Sequence, residues 1–208
     1  TVALLHALHA YKNKHISQSD LAKLASYVEI DMCGDPIGKQ DQYAAAFGGL
    51  NLIRFHEDDS VSVDPIICKP ETIKKLENSI LMFYTGRTRS ASEILVAQNK
   101  NMQNSEKRNL MEEMVKLSYD MKSLLELDEV DAIGELLDKN WRIKCQMASG
   151  VSDAQIDGWY QKGINAGASG GKLLGAGNGG FMMFFAPPSK HNDIIKALSG
   201  LREVPFSF

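Results

Sequence analysis

A glycine-rich segment near the carboxy-terminal end limits the fold of this chain more than any other part. The segment, GASGGKLLGAGNGGF, runs from Gly167 to Phe181, and seven of its first fourteen residues are glycine. Glycine adopts backbone conformations that other residues avoid and allows another backbone to approach closely, so the segment predicts a tight turn in a packed region. The short aromatic run FMMFF that follows is bounded by Pro187 and Pro188 and predicts a β-strand.

Three phosphate-binding loops share part of this glycine pattern. Gly175, Gly177 and Gly180 satisfy G-x-G-x-x-G, but a dinucleotide-binding loop needs a helix after the glycines, where a strand is predicted. A Walker loop would need glycine in place of Ala166 and a hydroxyl residue in place of Leu173. A protein-kinase glycine loop does lie between two strands, but the chain has neither H-R-D nor D-F-G. A glycine hairpin that only packs against another backbone therefore remains an alternative.

A second motif, GKQDQYAAAFGG, places Asp41 at the predicted first turn of a short helix. Free backbone amides and the helix dipole stabilise a carboxylate there, so a capping role explains the residue. Alternatively, Asp41 faces a cleft with an apolar bed that includes Tyr43, and accepts or orients a hydroxyl proton during phosphoryl transfer. Taken alone, the residue types favour capping.

Hydrophobic periodicity predicts two α+β domains, 1–68 and 71–208, with Pro65 and Pro70 flanking the boundary. The first contains a helix already under way at Thr1, a second helix capped by Ser17, and two strands. The second has the predicted order strand, four helices, strand, glycine loop, strand, helix, strand, which indicates an antiparallel sheet covered on one face. In it we expect strands at 80–84, 181–185 and near 204–208, and a fourth helix that starts at Ser152 and is capped with Gln155.

The composition is ordinary for a globular protein and argues against several partners. The 208 residues carry a net charge of −3 with a pI of about 6.0, so no basic field attracts nucleic acid or an anionic membrane surface. The longest uncharged apolar stretch, 181–188, is too short to cross a bilayer. The three cysteines form no C-x-x-C pair, which favours reduced thiols and a cytoplasmic location.

The pair of motifs, GKQDQYAAAFGG and much later LLGAGNGGF, resembles the GHMP kinases. The resemblance covers nearly the whole chain, and GDPIGKQDQYAAAFGG, YTGRTRSASEIL and LREVPF are most similar to the D-glycero-D-manno-heptose 7-phosphate kinases of that family. It implies a GHMP kinase fold: an α+β amino-terminal domain, ribosomal-protein-like and incomplete, followed by a ferredoxin-like domain. It also implies ATP and Mg²⁺, with ATP and sugar meeting in the cleft between the domains.

The resemblance assigns roles residue by residue. Asp41 matches the catalytic aspartate, and Glu29 matches a carboxylate that helps to hold Mg²⁺, although a solvated charge at a helix end is the alternative. Asn178 stands where relatives often have a small residue, which weighs against direct nucleotide contact by the glycine loop. The glycines that match the third family motif, which supports the phosphate loop, are Gly175, Gly177, Gly179 and Gly180.

Four further residues are predicted to bind the sugar substrate. Arg87 and Arg89 follow a predicted strand, and bidentate guanidinium contacts suit a sugar that already carries phosphate. Two exposed arginines at a helix start are the alternative. Lys39 meets a phosphate or forms a weak surface pair with Asp41, and Tyr43 contributes to the apolar bed.

The implied reaction is ATP-dependent phosphorylation of a heptose 7-phosphate at the anomeric oxygen, which gives the 1,7-bisphosphate for nucleotide-heptose and surface-glycan synthesis. Another sugar of the fucose or galactose type, or a non-catalytic ligand-sensing protein, remains an alternative. Nothing from Thr1 onward matches the family's phosphate loop, and the chain stops at the strand near 206–208, where the resemblance implies a short continuation. We therefore expect a chain that is trimmed at both ends and inactive by itself. The sequence leaves a homodimer open.

Overall fold

Contacts along the chain divide it into two units, Thr1–Ile66 and Ile67–Phe208. The computed structural model describes residues 1–87, 91–101 and 103–207. Pro65 and Pro70 lie on either side of this division. In the described part of the chain, no helix combines the length and the apolar character that crossing a bilayer requires.

The first unit consists of three α-helices and a β-hairpin. Among these three helices, α2 has a side-chain cap at its start. Ser17 Oγ accepts a hydrogen bond from the Asp20 backbone amide at 3.0 Å, which confirms the predicted cap. A π-helical turn, Tyr27–Met32, continues α2. The other elements are α1 Val2–Tyr11, α2 Gln18–Ser26, α3 Gln40–Phe47, β1 Asn51–Phe55 and β2 Val61–Pro65, with β1 and β2 antiparallel.

The core of the first unit is small. Leu21, Ala22 and Ala25 of α2 are buried, as is Tyr43 of α3. The Tyr43 ring stacks on Phe47 and meets Phe55 of β1 edge to face. The helix α3 ends where Gly48 adopts a φ of 65°, a value that favours glycine.

The second unit is a four-stranded antiparallel sheet with helices. Its elements are α4 Pro70–Asn78, β3 Ile80–Tyr84, α5 Ala91–Asn101, α6 Ser105–Glu126, α7 Ile133–Met147, α8 Ala154–Asn165, β4 Gly170–Leu173, β5 Phe181–Phe185, α9 His191–Ala197 and β6 Arg202–Glu203. The strand order is β4-β5-β3-β6. In chain order, the four strands therefore lie as second, third, first and fourth, which is the ferredoxin-like arrangement.

One face of this sheet forms the core of the second unit. Leu81 pairs with Phe184 and Phe83 with Met182, so alternate residues of β3 and β5 point to the same side. Burial of each such side chain contributes about 1.5–3 kcal/mol. The helices supply the covering residues Trp141, Ile156, Tyr160 and Ile194, and Leu198 follows directly after α9.

The strand order agrees with the prediction, but two strands have positions that the sequence did not give. The strand expected before the glycine loop is β4, and it lies inside the glycine-rich segment itself. A side chain at Gly170 would collide with the backbone of Gly134 on α7, so glycine is needed for this helix and strand to pack. At the other end, the last strand is Arg202–Glu203 rather than 204–208, because Pro205 has no amide hydrogen to extend the ladder. Residue 208 lies outside the described residues.

Candidate active site

Asp41 lies in the first turn of α3 and is exposed to solvent. The residue that precedes the helix is Lys39, and no side chain caps that end. Within the described ranges, the Asp41 carboxylate has no hydrogen-bond or ion-pair partner. The capping interpretation therefore has no hydrogen bond to support it, and the carboxylate is available to a ligand.

Lys39 forms an ion pair with Asp59 rather than with its neighbour Asp41. Its Nζ lies 3.1 Å from Asp59 Oδ1, in the turn between β1 and β2. The Asp59 side chain is 92% exposed, so the pair adds little stability. A ligand phosphate could therefore compete for the Lys39 ammonium at small cost.

Glu29 comes from the π-helical turn and contacts the first turn of α3. Its carboxylate accepts a hydrogen bond from Nε2 of Gln42, the buried residue next to Asp41. Hydrogen bonds from the Thr1 and Gln42 side chains lower the pKa of Glu29, against a smaller opposing effect of burial. Gln42 thus brings an ionised carboxylate to the helix end that carries Asp41.

The oxygen ligands of this helix end suit Mg²⁺. Among the described residues, no group of three or more histidine, cysteine or acidic side chains could enclose a metal. Mg²⁺ does not need such a cage, because it commonly binds to one or two carboxylates together with substrate phosphates and water. The single ionised carboxylate of Glu29 fits that pattern.

Tyr43 is buried, with 2% of its surface exposed. Burial raises the pKa of its hydroxyl, and the charge of Lys39 partly opposes that change. The ring contributes to the core of the first unit, so a substrate role for Tyr43 would fall to the hydroxyl. That role stays a prediction.

In the second unit, residues 174–180 connect β4 to β5 and form what we call the glycine turn. The positions with positive φ are Gly175 (78°), Gly177 (126°), Asn178 (59°) and Gly180 (92°). At Gly177, and also at Gly179, the neighbouring backbone leaves no room for a side chain. A Cβ at Gly177 would lie 2.8 Å from the Val151 backbone, and one at Gly179 would lie 2.7 Å from the Arg87 carbonyl oxygen.

Arg87 binds the glycine turn through its side chain. Its Nη2 donates to Asn178 Oδ1 at 2.7 Å and to Asp153 Oδ2 at 2.6 Å, while Nη1 donates to Gln155 Oε1 at 3.3 Å. The hydrogen bond to Asp153 raises the pKa of Arg87. We call these four residues the Arg87 network.

Asp153 is the N-cap of α8 and also the acidic member of the Arg87 network. Its Oδ1 accepts from the amides of Gln155 and Ile156, each at 3.0 Å. The Arg87 hydrogen bond, followed by the Ile156 amide, lowers the pKa of Asp153 to about 2. The sequence prediction placed the start of this helix at Ser152 with Gln155 in its cap; the helix begins two residues later, at Ala154, and Asp153 is its N-cap.

Two lysines lie near the start of the glycine turn. Lys144 Nζ donates to the Gly175 carbonyl, and Lys172 Nζ donates to Asn140 Oδ1 at 3.1 Å. Burial, with a further contribution from the charge of Lys172, lowers the pKa of Lys144 to about 8. Burial also lowers the pKa of Lys172. Sequence reasoning missed both lysines, because their spacing matches no motif.

The predicted site residues thus form two groups, each within one unit. In the first unit, Glu29, Lys39, Asp41 and Tyr43 lie on α3 or contact it or its start. In the second, Arg87 contacts the glycine turn that contains Gly175, Gly177, Gly179 and Gly180. Arg89 lies outside the described residues. Sequence reasoning missed Asp153 and Asn178 as partners of Arg87; the capping preference of aspartate was the only local signal for either.

The described residues thus form an α+β chain with an unpaired carboxylate at a helix start in the first unit and a ferredoxin-like sheet with a glycine turn in the second. The chain belongs to the GHMP kinase family. The family models "GHMP kinases N terminal domain" and "GHMP kinases C terminal" match residues 1–49 and 121–202.

Individual relatives agree with the family assignment. A D-glycero-alpha-D-manno-heptose 7-phosphate kinase from Campylobacter jejuni is 32% identical over 95% of this chain and 58% of its own length. A galactokinase from Thermococcus kodakarensis is 26% identical over 86% of this chain and 57% of its own. The chain therefore spans somewhat more than half the length of these relatives.

The similarity to one solved structure extends over the whole of this chain. A D-glycero-D-manno-heptose 1-phosphate kinase from Bacteroides thetaiotaomicron matches with a TM-score of 0.75 and 25% identity, over 100% of this chain and 57% of that one. Phosphomevalonate kinase from Streptococcus pneumoniae matches with a TM-score of 0.79 at 16% identity, over 99% and 65%. The second similarity concerns the fold alone.

Proposed function

We propose that the natural protein containing this chain transfers the γ-phosphoryl group of ATP to a sugar phosphate. The acceptor we favour is D-glycero-D-manno-heptose 7-phosphate, phosphorylated at its anomeric oxygen to give the 1,7-bisphosphate for nucleotide-heptose synthesis. The observation that carries the proposal is the 32% identity, over 95% of the chain, to a kinase named for that substrate. The cytoplasm is the compartment we expect, because it supplies ATP and sugar phosphates.

In this proposal, Asp41 accepts or orients the proton of the attacking sugar hydroxyl. Its carboxylate is exposed and has no partner within the described ranges, so a hydroxyl can approach it without displacing another group. A general base must come within about 2.6–3.2 Å of the proton donor. The oxygen of that hydroxyl forms the new bond to the γ-phosphorus, and the bond to ADP breaks.

Glu29 would hold Mg²⁺, with the phosphates of ATP as the other ligands. When bound, the ion neutralises charge on the phosphates. The Gln42 hydrogen bond orients the Glu29 carboxylate and, with the Thr1 hydrogen bond, keeps it ionised. The Lys39 ammonium, held only by an exposed ion pair, would meet a phosphate, and the Tyr43 hydroxyl would contact the sugar.

In the second unit, we propose that the glycine turn supports the phosphate-binding region and that Arg87 and Arg89 bind the phosphate already on the sugar. Arg87 has five N–H donors, and three of them bind the other members of the Arg87 network. Among the described contacts, the Nε hydrogen and one Nη1 hydrogen therefore remain for an incoming phosphate. These two hydrogens do not lie on one edge of the guanidinium, so each would make a single hydrogen bond to the phosphate while the network stays in place.

The substrate itself separates this proposal from its alternatives. The names of two relatives place the sugar phosphate at different positions, 7 and 1. A fucokinase/GDP-fucose pyrophosphorylase from Arabidopsis thaliana, 27% identical over 88% of this chain and 18% of its own length, favours a phosphate-free sugar as the second candidate.

The test is a substrate panel with the full natural protein and MgATP. Heptose 7-phosphate, heptose 1-phosphate, fucose and galactose are compared by ADP release, and phosphorus NMR locates the new phosphate. We expect kcat/KM for heptose 7-phosphate to exceed the others by at least about a hundredfold, since charge-assisted hydrogen bonds to the 7-phosphate discriminate strongly against acceptors that lack a phosphate there. Preference for fucose or galactose would replace the proposed substrate, and nucleotide binding without ADP release would indicate a ligand-sensing protein.

A further inference from the structure

We propose that Arg87 positions the glycine turn and that Asp153 is the residue that positions Arg87. All the contacts involved lie within the second unit. It bears on the proposed function through the glycine turn, to which that proposal assigns a supporting role.

The first step is the side-chain contact between Arg87 and Asn178. Asn178 is the non-glycine residue of the turn with a positive φ, 59°, and only 4% of its surface is exposed. Asparagine tolerates this conformation better than most residues, but a buried amide needs hydrogen-bond partners. Arg87 Nη2 donates a hydrogen bond to the Asn178 side-chain oxygen, Oδ1. The backbone N–H of Asn178 donates to the Val151 carbonyl at 3.0 Å.

The second step is the backbone contact on the other side of the turn. The Gly180 amide donates to the Arg87 carbonyl at 2.9 Å, and the Thr85 amide donates to the Gly180 carbonyl at 2.9 Å. The Thr85 hydroxyl donates to the same carbonyl at 2.8 Å. Arg87 therefore binds the turn at residues 178 and 180, with its side chain and its backbone respectively.

Asp153 holds the Arg87 guanidinium in place. One oxygen of Asp153 caps α8, while the other binds Arg87 Nη2. The cap fixes the carboxylate on a rigid helix, and the carboxylate in turn fixes a side chain that is otherwise long and flexible. The Arg87 side chain is 22% exposed, so solvent competes only partly for this ion pair.

The decisive variant is Asp153→Asn, because asparagine is also a good N-cap but carries no charge. Hydrogen exchange, resolved to single amides, is measured on the full natural protein. We expect the amides of Asn178 and Gly180 to exchange at least about tenfold faster, since hydrogen bonds to charged groups are the stronger ones. The amides of the β3–β5 ladder should keep their protection, and the matched control Asp157→Asn, in the first turn of the same helix, should change neither set.

A second measurement separates positioning from a general loss of stability. In an Arg87→Met background, Asp153→Asn should accelerate exchange of the turn by less than about twofold, because the carboxylate acts through the guanidinium. Unchanged exchange in Asp153→Asn, equal acceleration of the β3–β5 ladder, or full additivity in the double variant would each overturn the inference. Because no turnover is measured, these outcomes do not depend on the proposed kinase activity.

Discussion

The guanidinium of Arg87 lies 2.7 Å from the amide oxygen of Asn178, a residue 91 positions later in the chain. This contact joins the loop after β3 to the glycine turn between β4 and β5. Together with the ion pair to Asp153, it gives the half-buried Arg87 side chain a structural role that the neighbouring sequence did not predict. The arginine interpreted from sequence as a substrate ligand is therefore also part of the scaffold of the glycine turn.

The first prediction concerns acid stability. Because the folded-state pKa of Asp153 is lowered from 3.8 to about 2, its contribution is present above pH 4 and is lost as the pH falls through 2. The side chain is 38% exposed, so solvent screening reduces that contribution to about 1 kcal/mol. Urea denaturation of the protein and of Asp153→Asn should show a stability difference at pH 5 that shrinks by pH 2. A difference independent of pH would contradict the ion pair.

The second prediction compares two glycines. In Gly179→Ala, the new methyl group would meet the Arg87 carbonyl oxygen at 2.7 Å, so we expect a loss of about 1–3 kcal/mol of unfolding free energy. Gly158→Ala is the control, because this exposed position on α8 has open space around it. Alanine favours a helix, so the control should gain up to about 1 kcal/mol. Chemical denaturation measures the unfolding free energy of each variant. Equal changes in Gly179→Ala and Gly158→Ala would argue against the close approach at Gly179.

The third prediction concerns Lys144. Its pKa is lowered to about 8, first by burial and then by the charge of Lys172. We expect the Lys144 ε-carbon to titrate near pH 8 in carbon-13 NMR, and to titrate at higher pH in Lys172→Met, because a neighbouring positive charge is removed. Lys162→Met, an exposed position on α8, should leave the Lys144 midpoint unchanged. Stability should rise between pH 8 and 10.5, where only the unfolded chain still binds this proton.

The fourth prediction tests the proposed metal ligand. Glu29→Gln replaces an ionised carboxylate by an amide, a much weaker ligand for Mg²⁺. In the full natural protein, the Mg²⁺ concentration that gives half-maximal turnover should rise by about tenfold, since a metal ligand is lost. Glu57→Gln, in the exposed turn between β1 and β2, is the matched control and should leave it unchanged. The same Mg²⁺ dependence in the unmodified protein, Glu29→Gln and Glu57→Gln would contradict the assignment of Glu29 as a Mg²⁺ ligand.

Local signals predicted the elements that depend on their own neighbours. Ser17 caps α2 as its position suggested, and the continuous apolar run at 80–84 forms β3. The glycine-rich segment was harder, because Gly170 and Gly171 weaken a strand by propensity. There the close packing of α7 and β5 against the glycines outweighs propensity and gives β4.

Long-range partners could not be predicted in the same way. Arg87 binds Asp153 and Asn178 across 66 and 91 residues, and nothing in either short motif records which distant side chain will meet it. The same holds for Lys144 and the carbonyl of Gly175. The motifs identified the family and the candidate site residues. The hydrogen bonds that hold those residues in place depend on the tertiary structure, which the motifs do not specify.

The most direct test of the account is Asp41→Asn in the full natural protein, assayed for phosphoryl transfer from ATP to the preferred sugar. The amide has the shape of the carboxylate but cannot take a proton, so turnover should fall by about a thousandfold while the Kd for ATP changes less than about threefold. Asp31→Asn, at another exposed position of the first unit, should leave turnover unchanged. Turnover within about twofold of the unmodified protein in Asp41→Asn would contradict a catalytic role for this carboxylate.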